Sequence, residues 1–433
     1  MKILSISQYV YIPKYKQTHR LNTGYGHATW DISENIAING DESYVFTYQP
    51  KKAIESDGVK INSLTTGNLI KNLKLNNILF YFKTAMKQNK IKWALREFLH
   101  HLCEGSLMAF IKKVKPDGII IHGVGLDLIS SLVAVIHSKT PFIVVLHGLN
   151  ACNDSAGLTL FQKNYEKNLV KWLNNYGVKF AVVSSGTRRD LVNIYGIKNK
   201  ENIRVIFNGI QVEDTIDIVQ RDKIRKQIFG DNSDKKIILS VSSLSDRKNQ
   251  ISLVKAFGCL NENERDEYIL VIIGDGIEKE NIEDCINKMK LKDQVIMTGC
   301  LDREEVYKYY QAADLTAIIS LSEGFGLPII ESYSKGTPVL IFDDLDAVED
   351  LYDVAAMYKC KRGSEQQLIN DIKVATSIEW NHYKIIDISR KYDIRQTGRE
   401  YNQYLKESIK SFIPIKEESI LIFLEQLRRY SEE

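Results

Sequence analysis

One short unit in the C-terminal half constrains the fold of this chain more than any other stretch. Leu315-Thr316-Ala317-Ile318-Ile319-Ser320-Leu321 is an apolar run of the length and composition of a buried strand. A loop and a helical stretch follow, Glu323-Gly324-Phe325-Gly326-Leu327-Pro328-Ile329-Ile330-Glu331, and then Lys335-Gly336-Thr337-Pro338 turns into a second apolar run, Val339 to Phe342. Strand, loop, helix, strand is the repeating unit of an open parallel sheet. In such a sheet, ligands sit at the carboxyl ends of the strands, where a loop enters the next helix. Gly324 and Gly326 let backbone come close to a ligand, Pro328 suits a first helical turn, and the helix start offers unpaired N–H groups to anionic oxygens. Glu323 and Glu331 stand eight residues apart across this entry. Carboxylates repel phosphates, so the pair is better suited to accepting hydrogen bonds from sugar hydroxyls than to touching a diphosphate. On spacing alone, a surface loop with one solvated Glu and a helix with another stays open.

Other landmarks lie in order along the chain. Asn208-Gly209-Ile210 marks a junction, and Val241-Ser242-Ser243-Leu244-Ser245-Asp246-Arg247-Lys248-Asn249 is a strand end with a basic loop. Ile272-Ile273-Gly274-Asp275-Gly276 and Ile296-Met297-Thr298-Gly299 read as two further strand ends. With the Glu pair, these landmarks resemble the retaining GT-B glycosyltransferases of family 4, whose hallmark is two glutamates separated by seven residues around G-F-G-x-P. The resemblance covers about residues 180 to 345. Before that it holds in outline, through Gly24-Tyr25-Gly26, the run from Pro141 to Gly148, and Val182-Val183-Ser184-Ser185.

The resemblance implies an α/β chain of the GT-B fold, with two doubly wound Rossmann-like domains facing each other across a cleft. Residues 1–208 would form the acceptor-side domain and 209–390 the nucleotide-sugar domain. Residues 391–433 would be C-terminal helices, the first crossing back to the N-terminal domain. It implies transfer of a sugar from a nucleoside-diphosphate donor to a hydroxyl, with retention, no metal and no separate cofactor. Glu323 would hold donor-sugar hydroxyls and Glu331 the ribose diol, in a pocket shaped by Gly324, Phe325, Gly326, Leu327 and Gly299. Lys248, with Arg247 beside it, would neutralise the diphosphate, a charge that grows in the transition state. Many members carry Arg immediately before the Leu of the basic loop; this chain has Ser243 there, and the Arg role passes to Arg247. His147 would touch the donor sugar near the reacting carbon, with His122 a second candidate, and the backbone amides of Gly24 and Gly26 would approach the diphosphate. A sugar-nucleotide epimerase or hydrolase of the same fold, and a non-catalytic partner subunit, are the alternatives.

Composition narrows the classes. A chain of 433 residues, 44% hydrophobic, is globular and long enough for two or three domains. A net charge of +3 argues against bulk nucleic-acid binding. No apolar run approaches a membrane span, and the start lacks a signal-peptide core, so the expectation is a cytoplasmic protein. Its six cysteines form no C-x-x-C pair, so neither a disulfide framework nor a zinc site is indicated. Asp344-Leu345-Asp346 spells a metal-binding D-x-D but sits among Asp343, Glu349 and Asp350, as a solvated acidic loop would. Gly24-Tyr25-Gly26-His27-Ala28-Thr29 lacks the third glycine of a dinucleotide fingerprint. Residues 58–96 contain no acid and interleave lysines with Phe80, Phe82 and Trp93. That pattern fits either a peripheral contact with an anionic membrane at its inner face or an ordinary solvated face. The acceptor, whether glycan, lipid-linked or protein, is not encoded in a readable motif.

Overall fold

The structure is a computed structural model. It describes residues 1–12, 24–49, 54–63, 102–125, 128–152, 158–212 and 219–429, with isolated positions at 78, 79, 82 and 86. The basic segment 58–96 lies outside the described residues except for its first strand residues and those isolated positions.

The chain forms two compact units, Met1–Phe207 with Ile394–Glu433, and Asn208–Asp393. Unit 1 is built on an eight-stranded sheet of β1 (Lys2–Tyr9), β2 (Glu42–Gln49), β3 (Ile54–Ser56), β4 (Val59–Ser63), β5 (Gly118–His122), β6 (Phe142–Leu146), β7 (Lys179–Val182) and β8 (Ile203–Val205). Their order is β3-β4-β2-β1-β5-β6-β7-β8, and only β3 runs antiparallel to its neighbour. Unit 2 holds β9 (Lys236–Val241), β10 (Tyr268–Ile273), β11 (Val295–Gly299), β12 (Leu315–Ile318), β13 (Val339–Phe342) and β14 (Met357–Cys360), all parallel, in the order β11-β10-β9-β12-β13-β14.

Helices cover both faces of such sheets, so the central strands are apolar along their whole length rather than alternating. Every residue of β5, β6 and β10 is buried. The helix Ile394–Ser411 carries Tyr401, Tyr404 and Leu405 onto Ile3, Ile120 and Ile143 of the unit 1 sheet. The last helix, Glu417–Arg429, buries Ile420 and Leu424 in the core and lays Phe423 on Trp172, ring centres 5.0 Å apart. In unit 2, Asp314 gathers the first helix onto the start of the sheet. Its carboxylate accepts from Arg221 (2.9 Å), from Arg225 (2.8 Å) and from the Ile237 N–H (2.7 Å).

Two local expectations change. The sequence places a helix from about Ala28 to Asn39, ended by Asn39-Gly40; it begins at Gly24, so Gly24 and Gly26 lie in its first turn rather than in a preceding loop. The polar, charge-rich stretch after Asn208-Gly209 reads as a linker to about Lys223, but it already becomes helix at Val219. The short strands β3, β4, β8 and β14 offered too few residues for a periodicity to show in the sequence.

Candidate active site

In unit 2 the sheet changes direction at β9. The chain proceeds from β9 to β10 on one side, and β12 returns to pair with the other edge of β9. The loops leaving the carboxyl ends of two such strands diverge and open a crevice between them, which is where open α/β sheets bind ligands. The loop after β9 carries Arg247 and Lys248, and the loop after β12 carries Glu323.

These loops are tied together. After β9, Asp246–Lys248 makes a single 3-10 turn that ends at Asn249, φ 58°. Asn enters this left-handed region more readily than most residues, and its side-chain amide donates to the Ile319 carbonyl at 3.2 Å. The Leu321 N–H donates to the Arg247 carbonyl (2.7 Å), and the Arg247 guanidinium donates to the Ser322 carbonyl (2.6 Å). With the backbones fixed in this way, Lys248 Nζ donates directly to Glu323 Oε2. Arg247 stands 4.0 Å from the same oxygen, and the Ser320 hydroxyl donates to it at 3.4 Å. The Lys248 and Glu323 side chains are only 10% and 12% exposed. Burial acts against the charged carboxylate, but Lys248, Arg247 and the hydrogen bonds outweigh it and hold Glu323 below the usual carboxylate range. Two cations against one carboxylate leave this crevice edge with a net positive charge.

Glu331 lies in the next helix, Leu327–Ser334, whose entry depends on Gly326 at φ 92° and on Pro328 in the first turn. At that φ an L side chain is strained, so glycine is favoured there for conformation. Glu331 Oε2 accepts from the Tyr310 hydroxyl at 3.2 Å. Burial, and then the Glu331 charge, push that hydroxyl well above the usual phenol range. Phe325 is buried and packs edge-on against Tyr392, while Gly324 and Leu327 are half-buried on the same loop. Gly299 ends β11 two strands away, and its carbonyl accepts from the Gly274 N–H at 3.0 Å. The structure thus brings Arg247, Lys248 and Glu323 together and sets Glu331, Phe325, Gly324 and Gly326 along one loop and helix, with Gly299 apart from them at the end of β11.

Three features were not anticipated. Gly274 and Gly276 press against the loop after β9, where Cβ atoms would fall 1.9 Å from the Ser242 carbonyl oxygen and 2.1 Å from that of Leu244. Their sequence signal, glycines at a strand end, was present but had been read only as a strand end. Arg362, just past β14, donates to the Ser320 and Leu321 carbonyls (3.3 and 3.1 Å) and pairs with Asp344 at 2.5 Å. Asp344 is therefore an exposed partner of the arginine that braces the Glu323 loop. The third is Gln250, which donates to Ser242 Oγ at 2.6 Å and to the Ser243 carbonyl at 3.0 Å.

Unit 1 has its own change of direction, between β1 and β5. His122 ends β5 and is fully buried; His147 follows β6 directly. His122 Nδ1 lies 3.0 Å from His147 Nε2. Tyr25, in the first turn of the Gly24–Ile38 helix, donates to the His122 carbonyl at 2.7 Å and accepts from Ser7 at 2.9 Å. Its ring meets that of His147 edge to face, centres 5.1 Å apart. Burial lowers His147 to about 4, and burial followed by repulsion from His147 lowers His122 well below the usual imidazole range. Gly26 is buried, with its carbonyl accepting from the Tyr11 N–H at 3.2 Å, and Gly24 is exposed.

Comparison with known proteins matches residues 220–386 to Glycosyl transferases group 1 and residues 24–214 to Glycosyltransferase Family 4. An uncharacterized glycosyltransferase of Methanocaldococcus jannaschii is 28% identical over 40% of this chain and 44% of its own length. Alpha-monoglucosyldiacylglycerol synthase of Streptococcus pneumoniae is 32% identical over 38% of this chain and 37% of its own. The matched part thus spans less than half of each of these two relatives. Among solved structures, Anabaena HepE in complex with UDP and glucose superposes with a TM-score of 0.67 at 17% identity, over 94% of this chain and 99% of that one. The two parallel α/β units and this likeness identify the fold as GT-B.

Proposed function

Because the chain belongs to the group 1 and family 4 glycosyltransferases, we propose that it moves a sugar from a nucleoside-diphosphate donor to a hydroxyl acceptor with retention at the anomeric carbon. The observation that carries this reading is the convergence of Lys248 and Arg247 on Glu323 at the change of strand direction in unit 2. A buried carboxylate beside two cations gives one place both a hydroxyl acceptor and a phosphate donor set. The diphosphate competes with Glu323 for Lys248 and Arg247, and Glu323, released from them, accepts from sugar hydroxyls. Glu331 takes the ribose diol, and the amides at the start of the Leu327–Ser334 helix face the phosphates.

In the transfer, the acceptor oxygen bonds to the anomeric carbon on the face from which the diphosphate leaves. The bond from that carbon to the phosphate oxygen breaks, and the acceptor proton passes to the departing phosphate. Lys248 and Arg247 stabilise the charge that grows there, which makes a metal unnecessary. Asp344, committed to Arg362, does not enter the reaction. The family resemblance would give His147 a contact with a sugar hydroxyl and Gly24 and Gly26 a phosphate-facing role. The pneumococcal relative is by name a glucosyldiacylglycerol synthase, and HepE was crystallised with UDP and glucose. These support a uridine donor and a lipid-linked or glycan acceptor as the first to try.

Thermal shift against UDP, GDP and ADP tests the reading. One diphosphate should stabilise the protein by about 2.7 kcal/mol at a hundredfold excess over its dissociation constant, and Glu331→Ala should remove most of that gain. No response to any diphosphate, or equal responses in wild type and variant, would defeat it.

A further inference from the structure

The two histidines of unit 1 form a pair, of which the proposed chemistry uses only His147. Their rings are inclined by only 11° with centres 5.3 Å apart, which is an N···N contact of 3.0 Å extended by two ring radii. The rings therefore meet end to end in nearly one plane, joined by one good hydrogen bond. Their outer nitrogens, His122 Nε2 and His147 Nδ1, are buried and have no hydrogen-bond partner among the described residues. Orphaned buried polar atoms cost about 1–3 kcal/mol each and call for an explanation.

Counting protons supplies one. Burial keeps both imidazoles neutral, so the pair carries two N–H groups. One of them lies in the shared bond. If His122 gives it, the other proton is on His147 Nδ1 and His122 Nε2 is bare. If His147 gives it, Nδ1 is bare and His122 Nε2 carries the proton. The outer nitrogens always present one donor and one acceptor, and the two roles exchange only when the shared proton crosses the central bond while the outer proton leaves one ring and a proton from solvent or ligand joins the other. The surroundings hold this geometry. His122 is fixed through its carbonyl by Tyr25, Tyr25 is fixed by Ser7, and the Tyr25 ring lies against His147.

We infer that His122 is a positioning residue that sets, through the shared proton, whether His147 Nδ1 donates to or accepts from a ligand hydroxyl. A hydroxyl suits this site because it can serve in either role. The inference rests on the reading of the chain as a glycosyltransferase in which His147 meets a sugar hydroxyl.

Three substitutions at His122 test it in the full-length protein. His122→Asn places an amide near the lost Nδ1, His122→Gln places one near the lost Nε2, and His122→Phe keeps the ring without nitrogen. Long-range proton–nitrogen imidazole spectra should show His147 as a single tautomer in wild type and His122→Asn, and as a mixture in the Gln and Phe variants. With UDP-glucose as the probe, turnover should stay within about threefold of wild type for Asn and fall at least about tenfold for Gln and Phe, the scale on which groups orienting a functional histidine act. UDP affinity should be unchanged in all three. A mixture of tautomers in wild type, or equal spectra and rates for the Asn and Gln variants with native folding, overturns the inference. Coupled spectra without hydrolysis or transfer of any nucleotide sugar would instead uphold the pair and remove the transferase reading.

Discussion

Replacing Lys248 with Met removes one charge from the crevice of unit 2 while keeping most of the side-chain volume. Glu323 would remain 12% exposed, with Arg247 at 4.0 Å as its nearest remaining cation. Breaking a buried pair by deleting one partner costs about 3–5 kcal/mol, and the surviving arginine puts the expected loss near 3 kcal/mol. Glu323→Gln, which leaves Lys248 an amide oxygen, should cost about 1–2 kcal/mol. The double variant removes both charges and should fall short of the sum by on the order of 2 kcal/mol, because contacting residues are not additive. The coupling has a definite pH dependence. Glu323 titrates below the ordinary carboxyl value of 4.5 in the folded protein, so the unfolded state takes up the proton first as pH falls. The stabilisation is therefore fully present above 4.5 and is lost as pH drops through the lower folded value. Urea unfolding of the four proteins at pH 7 and near pH 3 measures it. A coupling under about 0.5 kcal/mol at pH 7, or the same coupling at both pH values, would refute the pairing. Turnover in Lys248→Met should fall by about two orders of magnitude.

Gly274→Ala should destabilise unit 2 by about 2–4 kcal/mol, because its Cβ would lie 1.9 Å from a backbone oxygen that cannot move without shifting the Arg247 loop. Urea unfolding that leaves the variant within about 0.5 kcal/mol of wild type would count against the close approach. His147→Gln should flatten acid destabilisation. His147 stays neutral in the fold down to about 4 while an unfolded histidine protonates near 6.5, so a stability of up to about 3 kcal/mol, present above pH 6.5, is lost toward pH 4. Equal pH slopes for variant and wild type over that window would contradict the burial of this pair.

Much of unit 2 was legible because its signals are local. The strand from Leu315, Gly326, Pro328 and the helix bearing Glu331 are within twenty residues of one another, and each constrains its neighbour by turn chemistry or helix entry. The Gly24–Ile38 helix was misplaced at its start because Gly24 and Gly26 lower helix propensity in its first turn. Arg362 went unseen because its role depends on β14, a four-residue strand. His122 and His147 were each visible as histidines at strand ends, yet their bond depends on β5 and β6 being neighbours in a particular register.

The relation between Lys248 and Glu323 shows where sequence reading stops for a physical reason. Seventy-five residues separate them, and nothing in either loop names the other. Their meeting depends on β12 returning to the edge of β9 that β10 left uncovered, a fact about strand order rather than about either motif. The sequence assigned lysine to the phosphates and glutamate to the sugar as independent tasks. In the folded chain the two share one hydrogen bond, so a phosphate that takes the lysine also leaves a buried carboxylate in need of donors. On the proposed reading, sugar hydroxyls would supply them. An isolated sugar would have to compete with Lys248 for Glu323, whereas one attached to a diphosphate would arrive with the group that draws the lysine away. On the proposed reading, donor selectivity would then reside in the pair as much as in either residue.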